Sequence, residues 1–438
     1  MRLQVLDPET KFSCGSCTKC CDQPWGTLIE RDKAEALKQH DFSAYPQLVG
    51  KEFYHADKET PEQYYVLVKG EGTRCLFLDA DGLCIIHKEM GPEAKPYPCL
   101  KFPYTVTETP IDDRISVDFG CPAVQSMRGP QLSEQLEDIQ TVVEQSERPV
   151  SRDARIQLDP QCTLSVDEAE ALYERLWRIF ESSRKGDMWT RFSAALSLLV
   201  GVRRYKQQVT SNETNATLIE LLRSDAKLPD MPDVTEITAY TKPSEASSPA
   251  RLLFASTVFR DTVPASSSFS MSFWKRLTMF PKLMSLARLN GAYPSRLLGR
   301  NIDINQVLAH PVEPTLDDAA TDLLLRYMRS RIWQRTLMGT RLSIIAGMHQ
   351  HIHDFSAVVF FARAEAQHTG KNRLDESLIR FGLNRVEFHL ASQQRLFDQN
   401  LISWFANQLQ SPTVALQSLR LMSLVPAPVQ VEAESTNA

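Results

Sequence analysis

Hydrophobic and polar positions follow two different periods along this chain, and the period changes after about Pro160. Up to Cys121 the apolar runs are short. Tyr64-Tyr65-Val66-Leu67-Val68 reads as a strand, and so does Ile115-Ser116-Val117-Asp118-Phe119, where apolar and polar residues alternate. Turn signals separate these runs: Asp79-Ala80-Asp81-Gly82, Gly91-Pro92, and the prolines Pro96, Pro98 and Pro103. Past Pro160 the spacing becomes helical. Ser165 and Glu168 stand in capping-box spacing. After them Ala169, Leu172, Tyr173, Leu176, Ile179 and Phe180 recur on one face. A second helix is predicted over 189–205. Residues 224–250 read as a long loop rich in proline, serine and threonine, and 263–268 as another polar loop. Helical signals resume at Thr315, an N-cap with Asp318 three residues on, and run through Tyr327 and Trp333. They return from Leu374 through Leu378, Phe381 and Leu390.

This pattern predicts an α+β protein: a small loop-rich domain over 1–128, a linker over 129–164 opening at Gly129-Pro130, a mainly helical domain over 165–425, and a disordered tail over 426–438. The length of 438 residues agrees, being too great for one core of ordinary size. Glycine, at 17 residues, is scarce, which favours helices and leaves little for phosphate-cradling loops. The net charge of −5 argues against a nucleic-acid footprint over the whole surface. No apolar run reaches the roughly 20 residues of a membrane span; the nearest, 343–362, is interrupted by His349, His351, His353 and Asp354. Residues 1–10 lack the basic start and apolar core of a secretory signal. The expectation is a cytoplasmic protein with no membrane partner, in which cysteines stay reduced.

Cysteine is where the chemistry concentrates. Eight of nine cysteines lie between Cys14 and Cys121, with Cys162 apart. Cys14, Cys17 and Cys20 are spaced by two intervening residues, and Cys21 follows directly. Thiolates so spaced grip one metal centre from a tight turn, and C-x-x-C-x-x-C matches the way ferredoxins wrap a cubane cluster. Cys121-Pro122 suits the distant fourth ligand of such a cluster. Lys19, beside these thiolates, favours their ionised form. Cys75, Cys84, Cys99 and either Cys21 or Cys121 make a second group. Cys75 and Cys84 flank the 79–82 turn, and prolines pre-set the backbone around Cys99. An iron–sulfur cluster is the first expectation and zinc the alternative, since tetrahedral thiolate sites accept either. Spacing leaves open whether the eight thiolates make one site or two. A domain with so little apolar core needs a metal to hold it together.

Three motifs resemble a known family in order and spacing: Cys14-x-x-Cys17-x-x-Cys20-Cys21, the stretch from Cys75-Leu76-Phe77-Leu78 to Gly82-Leu83-Cys84-Ile85-Ile86-His87, and Lys95-Pro96-Tyr97-Pro98-Cys99-Leu100-Lys101-Phe102-Pro103. They look like the YkgJ-type cysteine-cluster family, described as zinc- or iron-chelating, over roughly the first 125 residues. The same domain begins the bacterial flagellin lysine N-methylases, whose helical C-terminal half resembles residues 323–333 and 379–389 here. Those methylases space their first cysteines differently. The resemblance implies a methyltransferase that uses S-adenosylmethionine on a protein substrate bearing lysine. The competing expectation is a non-enzymatic metal-binding or electron-carrying module, or a zinc scaffold, that recruits a partner through its helical half. No G-x-G-x-x-G, P-loop or G-x-S-x-G motif is present, nor the C-x-x-x-C-x-x-C of radical S-adenosylmethionine enzymes. Catalytic and cofactor-binding residues are not legible.

Weaker candidates read as structural. His349 and His353 share a helix face at i, i+4, a spacing that binds metal, but no H-E-x-x-H carboxylate accompanies them. His87, three residues after Cys84, reads as a turn histidine. Arg326, Arg329, Arg331 and Arg335 read as a solvated helix face with Tyr327 and Trp333 partly buried. Glu387 and His389 point to different sides of one helix.

Overall fold

The structure is a computed structural model and describes residues 4–22, 26–57, 62–70, 74–109, 112–137, 139–140, 156–182, 187–208, 213–224, 228, 246–262, 281, 283–313, 316–335, 343–389 and 411–423. The expected features at Thr315, Leu390, 263–268 and 426–438, and most of the 224–250 loop, fall outside these residues. The fold is mixed α+β, with helices predominant and small sheets. Two compact units divide the chain: Met1–Asp153 with Trp333–Arg335, and Ala154–Ile332 with Thr336–Ala438.

The first unit runs through β1 (Gln4–Leu6), β2 (Thr27–Glu30), α1 (Arg31–Gln39), β3 (Tyr54–Ala56), β4 (Tyr64–Leu67), α2 (Ile85–Met90), α3 (Tyr97–Lys101), β5 (Tyr104–Glu108), β6 (Asp113–Val117) and α4 (Pro122–Gln125). Two three-stranded sheets form, ordered β2-β4-β3 and β1-β6-β5. The first is antiparallel throughout, with Ile29 opposite Tyr65 and Tyr54 opposite Leu67. Its buried face meets α1 and α2 in an apolar cluster that includes Ile29, Leu37, Phe42, Phe77 and Ile85. Phe42, Phe53 and Phe77 meet edge to face, with ring centroids 5.2–5.6 Å apart. Such pairs add about 1 kcal/mol each beyond area burial. Cys75 and Cys84 pack against this cluster.

In the other sheet β6 is central, parallel to β1 and antiparallel to β5. Its alternating sequence suggests one solvated face, yet Arg114 and Ser116 are buried along with Ile115 and Val117. Partners from outside the strand make this tolerable. Arg114 forms a 2.8 Å ion pair with Asp112, and Ser116 Oγ donates to Asp7 Oδ2 at 2.8 Å. Buried polar groups persist only when so paired. Beyond α4 the chain stays with this unit: the Phe12 N–H donates to the Pro130 carbonyl at 3.1 Å and the Leu132 N–H to the Thr10 carbonyl at 3.2 Å.

The second unit begins with a hairpin of β7 (Ile156–Asp159) and β8 (Cys162–Leu164). Helices α5 (Val166–Ile179), α6 (Met188–Gln208), α7 (Glu213–Arg223) and α8 (Ser248–Asp261) follow, then the pair β9 (Ala292–Ser295) and β10 (Arg300–Asp303). The chain continues through α9 (Ile304–Ala309), α10 (Asp318–Trp333), α11 (Ile344–Thr369), α12 (Glu376–His389) and α13 (Pro412–Ser423). The Ser165–Glu168 capping box is present. Ser165 Oγ accepts from the Glu168 N–H at 3.3 Å, and Glu168 Oε2 accepts from the Ser165 N–H at 2.8 Å. Glu168 is fully buried and also pairs with Lys206 at 2.9 Å.

The longest element, α11, is apolar around most of its circumference and buried along most of its length, as a helix enclosed by others must be. Ser343 caps its start, and Gly370 ends it in the left-handed conformation at φ 69°. No helix among the described residues is long and apolar enough to cross a membrane. Helix α12 approaches α11 so closely that a Cβ on Gly382 would sit 2.2 Å from the Val358 carbonyl oxygen. Backbone cannot yield as a flexible side chain does. Gly382→Ala is therefore expected to destabilise the helical unit by about 3 kcal/mol. The denaturation midpoint measures this, and an unchanged midpoint would mean that the helices do not touch there.

Arginines, all but Arg178 of them buried, tie helix ends together. Arg175 donates to the Leu221 carbonyl at 2.7 Å and Arg178 to the Leu222 carbonyl at 3.0 Å, at the end of α7. Arg191 Nη1 reaches the Ile179 and Glu181 carbonyls at 2.7 and 2.8 Å, at the end of α5. Arg363 donates to the Val307 and His310 carbonyls, each at 3.0 Å, at the end of α9. The last carbonyls of a helix lack intrahelical partners, and a guanidinium satisfies them in pairs.

Candidate metal centre

The eight cysteines belong to the first unit and reach it on four separate stretches of chain. All are free thiols: Cys14 and Cys17 exposed, Cys20, Cys21, Cys75, Cys84 and Cys99 half-buried, and Cys121 buried. The loop carrying the first four is strained. Ser16 and Thr18 take positive φ values of 49° and 63°, costly for residues with a Cβ and more so for β-branched threonine. Strain of this kind persists only where surrounding contacts hold it. Here they do: the Cys21 N–H donates to the Thr18 carbonyl at 2.9 Å, and the Cys21 carbonyl accepts from the Cys75 N–H at 2.8 Å.

Cys75 and Cys84 flank the expected turn. The Gly82 N–H donates to the Asp79 carbonyl at 3.1 Å and the Asp79 N–H to the Leu83 carbonyl at 2.8 Å. Gly82 sits at φ 81°, a conformation that glycine adopts freely. Cys84 precedes α2 directly, Cys99 lies within α3, and Cys121 precedes α4. The prolines play the role their positions suggest: Pro98 and Pro122 occupy first-turn helix positions, where no N–H is missed.

Thiol electrostatics place neighbours around each sulfur. Cys20 and Cys21 sulfurs lie 3.9 Å apart. The hydrogen bond from Cys21 lowers the Cys20 thiol to about 7, with Lys95 assisting, and raises Cys21 above the ordinary thiol range. Burial pushes Cys99 up to about 12, and the charges of Cys75, Cys84 and Cys20 add to it. Burial likewise raises Cys75, with Cys84 and Cys20 acting on it. Cys121 rises to about 11 through burial, although the Val124 and Ala123 N–H groups donate to its sulfur; Cys17 and Cys20 act on it. Lys95 is a cation that acts on Cys20. Its signal was in the sequence, four residues before Cys99 in the proline-rich motif.

Among the described residues, no three histidine, cysteine, aspartate or glutamate side chains already converge tightly enough to hold an ion. The donor set nevertheless suits thiolate-bound metal in kind, being all sulfur, and in grouping, since seven of the eight cysteines appear in the interactions above. No family model, curated protein or solved structure matches this chain.

The other candidates prove structural. Cys162 is buried in β8 of the second unit. His87 is exposed on α2. His349, His351 and His353 are all buried in α11, and only His353 has a ring nitrogen near a hydrogen-bond partner, Ser418 Oγ at 3.4 Å. Both ring nitrogens of His349 lack one. The arginine stretch on α10 is not a solvated face, because partners from two other helices draw it inward. Arg329 is buried with its guanidinium 4.1 Å from the centroid of Trp177, and Arg331 pairs with buried Glu387. Tyr327 is buried too, and its hydroxyl donates to Glu387 Oε1 at 2.7 Å. The side chain of His389 lies outside the described residues.

Proposed function

We propose that this chain is a cysteine-cluster metalloprotein, whose first unit holds iron–sulfur, in one centre or two, through thiolates of Cys14, Cys17, Cys20, Cys21, Cys75, Cys84, Cys99 and Cys121. The observation that carries this reading is the gathering of half-buried Cys20, Cys21, Cys75, Cys84 and Cys99, from three distant stretches, into mutual electrostatic reach. The Cys99 thiol, pushed up to about 12 by burial, surrenders its proton only to a strong competitor, and a metal cation is one. The exposed loop bearing Cys14 and Cys17 closes on the metal as it binds. Zinc is the alternative occupant, and colour separates the two. Anaerobically purified chain with broad visible absorption and labile sulfide supports iron–sulfur; colourless chain with stoichiometric zinc supports the alternative. Cys17→Ser is expected to lose metal and Cys162→Ser to keep it, since Cys162 has no partner at ligand spacing. Equal metal content in the two variants contradicts the ligand assignment.

A second reading, protein-lysine N-methylation with S-adenosylmethionine as donor, rests on the resemblance to the methylases. The two stretches that resemble the methylase helical half, 323–333 and 379–389, meet through Tyr327, Arg331 and Glu387. Calorimetric titration of the full chain with S-adenosylmethionine tests it. Without binding, and without transfer of labelled methyl groups to protein lysines, the metal module is the better reading.

A further inference from the structure

We propose that the eight N-terminal cysteines build two neighbouring metal centres, one from Cys14, Cys17, Cys20 and Cys121 and the other from Cys21, Cys75, Cys84 and Cys99. This partition rests on the thiolate–metal reading above and fixes what that reading leaves open, the number of centres and the assignment of Cys21.

Ligand arithmetic comes first. A tetrahedral ion takes four thiolates, and a cubane cluster also takes four. Eight thiolates on one centre would leave half of them without metal.

Backbone anchoring decides which four go together. The loop bearing Cys14 to Cys21 is pinned at its two ends to different parts of the unit. At the start, Lys11 bridges to Gln131, and the Phe12 N–H donates to the Pro130 carbonyl at 3.1 Å. A Cβ on Gly129 would meet Ser13 at 2.5 Å, and one on Gly15 would meet Arg128 Nη1 at 3.0 Å. Cys14 therefore lies against the turn that leaves α4, the helix that Cys121 opens. At the other end, Cys21 accepts the Cys75 N–H, and Asp22 bridges to Arg74. A Cβ on Gly82 would lie 3.1 Å from Thr18, so the end of the loop rests on the hairpin between Cys75 and Cys84. Those two cysteines and Ala94, five residues before Cys99, pack on one apolar cluster.

The Cys20 and Cys21 sulfurs lie 3.9 Å apart. Adjacent residues that ligate different metals put the two centres side by side.

Cobalt(II) titration of metal-free full-length chain under anaerobic conditions tests the partition, read by thiolate-to-cobalt charge-transfer absorption and by native mass spectrometry. The expected result is two equivalents for the unsubstituted chain, one for Cys121→Ser, one for Cys99→Ser, and none for the double variant. Far-UV circular dichroism checks that each variant keeps its helices; should Cys121→Ser lose them, Cys17→Ser, at an exposed position, tests the same centre. A single equivalent abolished by either substitution overturns the partition but leaves metal binding standing. No cobalt or zinc bound by the unsubstituted chain overturns the thiolate reading itself.

Discussion

Stripped of metal by a chelator, the chain is expected to gain new protease cuts between residues 11 and 121 while the helical unit keeps its digestion pattern. The contrast is physical. The first unit has strands of three to five residues and one modest apolar cluster around Phe42, Phe53 and Phe77. Structural thiolate sites contribute on the order of 10 kcal/mol to folding, comparable with the whole net stability of a domain. Losing that contribution leaves the strained Ser16–Thr18 backbone held by a few hydrogen bonds alone. The second unit encloses α11 among other helices and contains none of the eight cysteines. Limited proteolysis with and without chelator, with fragments identified by mass, measures the difference. Chelation-induced cuts spread evenly along the chain, or confined to residues after 165, would sink the expectation.

Mild acid is expected to do the opposite, weakening the helical unit. His349 and His351 are buried in α11, and burial lowers both from the ordinary 6.5 to about 3, with Arg203 adding to the effect at His349 and Arg331 at His351. The unfolded chain takes up protons near pH 6.5 and the folded chain does not until about pH 3. Stability is therefore fully present above pH 6.5 and falls as pH drops toward 3. Each histidine contributes a slope on the order of 1 kcal/mol per pH unit in that window, so the pair costs on the order of 5 kcal/mol by pH 4.5. Denaturant unfolding between pH 7.5 and 4.5 measures the slope. His349→Leu should flatten it and leave stability at pH 7.5 unchanged or higher, because both ring nitrogens of His349 lack hydrogen-bond partners. Identical slopes for variant and parent would refute the assignment.

Local signals were legible wherever a local interaction decides the structure. The Ser165–Glu168 box, the helix predicted over 189–205 and the turn at Asp79–Gly82 all depend on residues a few positions apart, and all appear. Signals that depend on distant partners were not legible. The alternation around Ser116 marks a strand but does not reveal that Asp7 and Asp112 bury Ser116 and Arg114 with it. The charges at 329 and 331 looked like a wet surface because Trp177 and Glu387 lie far away in sequence. The cysteine spacing raises the expectation of bound metal, and the proposed partition rests on something spacing does not carry, the anchoring of the loop toward Gly129 at one end and Cys75 at the other.

The arginines that close the helix ends have a bearing on which substitutions this half can absorb. Each guanidinium serves a helix other than its own, so its loss is felt in two elements at once. Arg191 and Arg363 each hold two carbonyls through a single guanidinium nitrogen. A lysine ammonium carries the same charge on a more flexible stem of different length, so its nitrogen does not fall where the guanidinium nitrogen does without loss of order. Substitutions that a charge-matching table scores as mild would therefore loosen joints between helices. The helical half should accept changes on its outer faces far more readily than an exchange of one cation for another at these joints.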